Sequence, residues 1–459
     1  VNVLLLGLLA CGSGPSAEAP VYGLTTAGLS LETATVPTVV WVRFETAEPV
    51  RATVRARFEG GERVVGEAAP TTTHALLLAG LPARTEVEVT VTADEREETA
   101  EGVVTTGALP EWVPDLQFEA EVPEEAEGGV TLIPLIFGMG GGVVGVDDAG
   151  RVVWSWPQED EGLVAVPYRA ALSLDGEAVL FNHAARSDAD RGAIVRVSLD
   201  GGQVQYTDIL GAHTDFAEYV DGGYLTLGWD IREVEDRRIL GDTLRERSPD
   251  GVERVVWTAW DSFTPDLSRT YANLYAADPS VEDWTHINGL SYDPVADQVY
   301  LTATFNNGVL AVDRTSGVLD WWLTDFEGGN FENADGTARL VLPHSVQAID
   351  GGVTVFSRGS PTDPSACSFV VDIALDESRG LATETWRHEA EPCALVSYLG
   401  GAVRLAGGNT LVSWTSAGRL DEVTLDQALA WRVSTNVGAA FGFATRATAF
   451  GPGSASPTR

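Results

Sequence analysis

The chain of 459 residues contains no lysine, so each of its 29 basic side chains is an arginine, and these face 67 aspartates and glutamates for a formal charge of −38. Such a deficit of positive charge repels phosphate backbones and anionic headgroups, which argues against nucleic acid as a partner and reads first as a solubilising acidic coat. It also requires that any site for an anionic substrate be cationic locally. Cysteine occurs three times and histidine six times. The apolar run at residues 3–10 is too short to span a bilayer. After the N-terminus, no stretch of about a dozen residues sustains helical periodicity. No glycine-rich loop able to cradle a phosphate is evident.

What is present is a repeat. A phrase of β-branched residues, an Asp- or Gly-bearing turn and a terminal aromatic returns six times, at 143–156, 194–206, 244–257, 309–322, 370–386 and 419–431. Between copies lie pairs of short apolar runs around polar turns such as Asp221-Gly222-Gly223 and Asp350-Gly351-Gly352, which is hairpin chemistry. Two hairpins per repeat make four strands, and repeats of about 40 to 50 residues have the spacing of propeller blades. The expected fold is therefore all-β: a six-bladed β-propeller over residues 130–459, preceded by a small β-sandwich. A pair of ordinary sandwiches is the competing reading, disfavoured because sandwiches rarely reuse a terminal tryptophan at such spacing.

His213, His286 and His344 each stand at the head of the recurring phrase. If the repeat closes into a ring, these three imidazoles converge. A neutral imidazole is a competent nucleophile near neutral pH, and neighbouring imidazoles or arginines stabilise charge on a transferred anionic group. Clustered cations also lower one another's pKa, keeping the attacking ring unprotonated. A three-histidine metal site is the weaker functional reading, because the spacing matches no compact ligand pattern, and no metal is expected. The plainest alternative is that each histidine satisfies a backbone carbonyl at a blade edge. His74, His183 and His388 fall outside the repeat-head position and are assigned no chemistry.

The first eleven residues read as targeting. Leu8-Leu9-Ala10-Cys11 resembles the lipobox of bacterial lipoproteins, which implies cleavage before Cys11, lipidation of its thiol and a tether through residue 22. The expectation is a protein exported and held at the bacterial cell envelope, periplasm or outer membrane, by lipid alone; the missing basic segment ahead of the apolar run points to a start placed too late. In an oxidising compartment Cys367 and Cys393, both in the fifth repeat, can pair. Residues 23–107 carry alternating strands at 38–44, 51–58, 85–93 and 102–106. The phrase ALLLAGLPARTEVEV at 75–89 resembles the corner between the fifth and sixth strands of fibronectin type III domains, with Val87 where that family usually has tyrosine. Residues 108–129, rich in Pro, Glu and Gly, read as a linker.

The segments HTDFAEYVDGGYLTL (213–227), DWTHIN (283–288) and PHSVQ (343–347) together resemble successive signatures of the bacterial arylsulfate sulfotransferases. The blade-closing phrase VLAVDRTSGVLDW (309–321) and the C-terminal FATR (443–446) are similar as well. The resemblance implies an exported six-bladed propeller with a small N-terminal β-sandwich, working without the nucleotide sulfate donor PAPS. It implies that His344 accepts the sulfuryl group from a phenolic sulfate and passes it to a phenol, through a sulfohistidine. His213 and His286 would bind sulfuryl oxygens or act as acid and base, and Asn288 would donate a hydrogen bond. One departure stands out: where the family carries an arginine on the second strand of the fourth blade, this chain reads LTATFNN (301–307), placing Thr304 or a neighbour there. Arg358, at the corresponding strand end of blade five, is the candidate to restore that charge, and Tyr168, opening blade two, is a candidate lining residue. A catalytically impaired, surface-anchored propeller that binds a ligand or protein is the alternative function. The sequence leaves oligomeric state and the identity of donor and acceptor open.

Overall fold

The computed structural model describes residues 28–451 except 94–97, 138–139, 159–164, 186–191, 210, 273–277, 325–327, 335, 338, 364 and 436–439. The lipobox-like segment with Cys11 and its tether lie outside the described residues. The protein is all-β, with 58% of residues in strands and 4% in helix, as the period-2 patterning dictates.

Two sheets form from the N-terminal residues. One orders Ser30–Thr33, Val40–Val50 and Thr71–Leu78; the other orders Gly61–Gly66, Ala52–Phe58, Glu86–Ala93 and Glu98–Thr105. Strict alternation explains them: in Ala52–Phe58 and Glu86–Ala93 every second side chain is buried. Val42, Val54, Leu76, Leu78, Val89 and Val91 share one core between the two sheets. Val87 belongs to this core and is fully buried.

Among the described residues six further sheets follow, each built on an antiparallel run of strands, and we number them one to six along the chain. The hairpins expected at 221–222 and 350–351 are present, with Val220 opposite Gly223 and Ile349 opposite Gly352. Gly222 and Gly351 hold φ of 70° and 71°, the left-handed conformation these two-residue turns need. Two tryptophans reach onward: Trp386 of sheet five, the terminal aromatic of its repeat, donates to the Leu425 carbonyl at the edge of sheet six at 2.9 Å, and the buried Trp154 of sheet one, two residues before the terminal Trp156, donates to the Leu199 carbonyl at the edge of sheet two at 3.0 Å. A buried indole N–H needs such a partner.

The two ends of this run are interlocked. Ala440–Phe441 and Thr445–Ala447 pair with Val130–Phe137 in sheet one, and Gln117–Glu119 pairs with Leu429–Ser434 at the outer edge of sheet six. The stretch expected to be linker thus contributes a strand. Side-chain hydrogen bonds tie each sheet to the next. Thr445 donates to Ala170 at 2.8 Å between one and two, and Asn182 to Thr214 at 3.0 Å between two and three. Asp215 accepts from Leu290 at 2.8 Å between three and four, Thr304 donates to Pro343 at 2.7 Å between four and five, and Ser345 accepts from Ala402 at 2.9 Å between five and six. Ser413 accepts from Ala444 at 3.3 Å, and the buried Arg446–Glu422 ion pair at 2.6 Å joins sheet six back to sheet one.

The N-terminal sheets pack on sheets one and two. Val36, Val39 and Leu77 enter the same core as Val130, Trp154 and Phe181, and Thr38 donates to the Val153 carbonyl at 2.7 Å. His74, assigned no chemistry from sequence, is buried there, bonded to Glu67 at 2.9 Å and Thr46 at 3.0 Å and stacked on Phe44. Cys367 and Cys393 are joined as a disulfide with Cα atoms 5.3 Å apart.

Candidate functional site

The three histidines sit where the first strands of sheets three, four and five begin, though not at one equivalent position. His213 opens His213–Val220, His286 immediately precedes Ile287–Asp293, and His344 is the second residue of Pro343–Ile349. Each strand is irregular at that point: pairing shifts between His213 and Phe216, between Ile287 and Gly289, and between Pro343 and Ser345. Asn288 and His344 are therefore the bulged residues of sheets four and five, and it is Asn288, not His286, that corresponds to His344. Bulges re-aim a side chain, which is how an edge of regular sheet presents a chemical group. Thr214 and His286 both take φ of 50°, a conformation that costs a non-glycine residue energy and recurs at functional sites.

His286 is held at Nδ1 by the Asp283 carboxylate at 2.6 Å, and its ring lies flat on Phe305 at 4.5 Å between centroids. His213 faces Asp242 through Nε2 at 3.4 Å, contacts the Thr214 hydroxyl at 3.0 Å and stacks on Trp229 at 5.1 Å. Asp242 is fixed by Thr285 and by the Ile287 N–H at 2.9 Å, so the carboxylate facing His213 is positioned by the segment that carries His286. Burial pushes the Asp283 carboxyl up, opposed by the charge and hydrogen bond of His286. The sequence reading missed both carboxylates. Asp283 stood three residues before His286 in the quoted phrase, whereas Asp242 had no local signal.

His344 differs from its neighbours. It is 3% exposed, and its Nδ1 has no hydrogen-bond partner among the described residues. Burial holds the ring well below the usual histidine range, the Arg358 and His286 charges push the same way, and backbone groups of His344 and Gly400 oppose them. The imidazole is thus neutral near pH 7. Arg358, half-buried, donates to the Ser397 carbonyl, and its charge acts on the His344 ring. Phe443, from the C-terminal end of the chain, lies 5.5 Å from the His344 ring. Tyr168 reaches the site through Phe443, packing with it, Ile136, Val166 and Leu399. Its neighbour Arg169 instead pairs with Asp215 at 3.1 Å.

Thr304 does not offer an open hydroxyl. It is fully buried, accepts from Asn288 Nδ2 at 2.8 Å and donates to the Pro343 carbonyl at 2.7 Å. It therefore joins the two bulges, Asn288 on one side and the residue before His344 on the other. Gly289 completes this contact: a Cβ there would stand 2.8 Å from the His344 carbonyl oxygen, so only glycine lets the two strands approach. Among the described residues no group of three or more His, Cys, Asp or Glu could hold a metal ion.

Residues 119–341 match the family model for arylsulfotransferase (ASST). That span contains His213, His286, Asn288 and Thr304 and ends just before His344. No curated protein matches the chain. Among solved structures, a catalytically inactive virginiamycin B lyase from Staphylococcus aureus with quinupristin is 12% identical over 69% of this chain and 87% of its own, with a TM-score of 0.36. The periplasmic gluconolactonase of Pseudomonas aeruginosa is 12% identical over 87% of this chain and 100% of its own, at 0.36. A Bacteroides caccae protein of unknown function is 11% identical over 69% and 98%, at 0.38. Likenesses at these scores decide neither the arrangement of the sheets nor the chemistry.

Proposed function

We propose that the chain is an aryl sulfotransferase built on a closed six-bladed propeller with a fibronectin type III-like sandwich in front, exported and lipid-anchored at Cys11. Supporting the ring are the sheet-to-sheet hydrogen bonds that return from sheet six to sheet one. The observation that carries the function is His344: a buried, neutral imidazole with an unpartnered Nδ1 among the described residues, beside Arg358 and His286, in a chain whose preceding blades match the arylsulfotransferase family.

In the first half-reaction a ring nitrogen of His344 attacks sulfur; the S–N bond forms as the S–O bond to the aryl group breaks, and the phenolate leaves, taking a proton from His286 or His213. Their carboxylate partners Asp283 and Asp242 hold each ring in orientation and stabilise it when it carries the proton being delivered. In the second half, an acceptor phenol returns its proton to the same acid–base pair; the new S–O bond forms and the S–N bond breaks. Arg358 and Asn288 stabilise charge on the sulfuryl oxygens. Both substrates, a phenolic sulfate and a phenol, are small molecules, and the transfer uses no nucleotide.

The test is release of nitrophenolate from 4-nitrophenyl sulfate with excess phenol, together with capture of radiosulfur on the protein when acceptor is omitted. The wild type should turn over and retain label; His344→Ala should do neither. Equal activity of the two proteins would reject the reading. One feature favours the alternative of an impaired ligand-binding propeller: the resemblance implies an arginine at or beside Thr304, where residues 301–307 carry none, and loss of one preorganised stabiliser costs about a hundredfold in rate or more.

A further inference from the structure

We propose that His213 is a positioning residue that acts through Asp242, and that His286 alone exchanges the proton with substrate; the inference rests on the sulfuryl-transfer reading above and narrows its acid–base pair to one ring. The His213 imidazole is buried and held at both nitrogens and on one face. Its Nδ1 lies 3.0 Å from the hydroxyl of the buried Thr214, and its Nε2 is shut off from solvent, 3.4 Å from Asp242 Oδ1. Its face stacks on Trp229, 17° from parallel. Trp229 and Asp242 stand opposite each other on neighbouring strands of sheet three, so the face and one edge of the ring meet a single rigid unit. Proton transfer needs a ring nitrogen within hydrogen-bond reach of the substrate oxygen. A nitrogen turned toward a fully buried carboxylate does not offer one.

Asp242 passes the restraint on to His286. Its Oδ2 accepts from the Thr285 hydroxyl and from the Ile287 N–H at 2.9 Å, and its own N–H donates to Thr285 Oγ1 at 3.2 Å. Thr285 and Ile287 flank His286, whose φ is 50°. The approach to this point is fixed by a parallel ladder, with Asp283 opposite Leu240 and the Trp284 N–H on the Leu240 carbonyl at 3.3 Å. The ladder ends there, and the Asp242 carboxylate carries the segment through the left-handed residue. Such a conformation persists only where its surroundings over-determine it. A carboxylate held at one oxygen can still turn about its side-chain axis, and His213 at Oδ1 restrains that turn. His286 Nδ1 is committed to Asp283 at 2.6 Å, so its proton exchange runs through Nε2. As the S–N bond to His344 forms and the S–O bond breaks, the proton on Nε2 passes to the departing phenolate oxygen, and the acceptor phenol later returns one.

The experiment uses amides as proton-dead copies of the ring. The amide nitrogen introduced by His213→Gln falls at the position of Nε2 and can donate to Asp242, that of His213→Asn falls at the position of Nδ1 and cannot, and neither amide shuttles a proton. Turnover of 4-nitrophenyl sulfate and of phenyl sulfate, whose phenolate is the stronger base and depends more on the proton, is measured for both variants and for His286→Gln. His213→Gln should retain most of the turnover of both esters, and His213→Asn should lose about ten- to a hundredfold. His286→Gln should lose about a hundredfold or more on phenyl sulfate and less on the nitrophenyl ester. A His213→Gln protein as impaired as His286→Gln, or one whose loss grows from the nitrophenyl to the phenyl ester, would overturn the proposal. Melting temperatures of His213→Ala, Asp242→Asn and the double variant read the brace without turnover: losses that overlap support it, and losses that simply add overturn it. If the wild type transfers no sulfuryl group and the losses still overlap, the brace stands and the transfer reading fails.

Discussion

Thr304 is where geometry and chemistry separate most cleanly, and replacing it by valine tests whether it acts through its neighbours. Valine keeps the volume and removes the hydroxyl, leaving the Asn288 amide and the Pro343 carbonyl without the bonds of 2.8 and 2.7 Å that Thr304 supplies. Each buried hydrogen bond so removed costs about 1–3 kcal/mol. With partial relaxation the total should be roughly 2–4 kcal/mol, seen as a melting temperature lower by several degrees. Because the two groups belong to the bulges carrying Asn288 and His344, the loss should also appear in kcat, where misplacement by about 1 Å can cost a hundredfold. Thr304→Ser keeps the oxygen and should recover most of both. Thr304→Arg, which restores the side chain implied by the family resemblance, should not raise activity, since it breaks the same link and places a guanidinium in a fully buried position. Thermal melts and nitrophenyl sulfate turnover on the three variants suffice. A Thr304→Val protein as stable and as active as wild type would refute the reasoning.

Further expectations concern His344 and the disulfide. The folded protein holds His344 well below its ordinary range. The unfolded chain therefore takes up this proton as pH falls through about 6.5 while the folded chain does not, and the associated stability, present above that pH, is lost on acidification toward the folded value. The acid limb of kcat/KM due to His344 should lie well below 6.5, and Arg358→Ala, by removing a repelling cation, should move it upward; a limb that stays in place would contradict the assignment. Cys367→Ser opens a loop of sequence separation 26, for which chain entropy gives a loss of about 3.5 kcal/mol. The Ser397 carbonyl that holds Arg358 follows shortly after this loop, so turnover should fall along with the melting temperature; full activity after selective reduction would show that the loop does not position Arg358.

The reading from sequence succeeded where the signal was local and faltered where it was not. Period-2 alternation and glycine-bearing turns placed most strands, and the paired turns at 221–222 and 350–351 formed as expected. Ser30–Thr33, Gly61–Gly66 and Thr71–Leu78 were passed over because their apolar content is low or their alternation short. Gln117–Glu119, exposed throughout, has no pattern of its own and becomes a strand only because the edge of sheet six offers it hydrogen bonds. Among the site residues, the three histidines were legible at phrase heads and Arg358 at a strand end, whereas Asn288 was legible only through the family resemblance. Thr304 was legible only as a departure from a family pattern, and its bridging role was not.

The amino-acid order by itself determined an all-β chain of recurring antiparallel units, an acidic coat without lysine, a cysteine pair within one repeat and three imidazoles each near the start of a unit. These follow from side-chain period, turn dihedrals and charge, all of which act over a few residues. Only the tertiary structure decided that Asn288 and His344 sit on equivalent bulges, that Asp242 faces His213, and that Phe443 and Arg358 flank the same ring. Those relations depend on strand register and on contacts between residues far apart in the chain, where a shift of one position would turn each side chain to the opposite face.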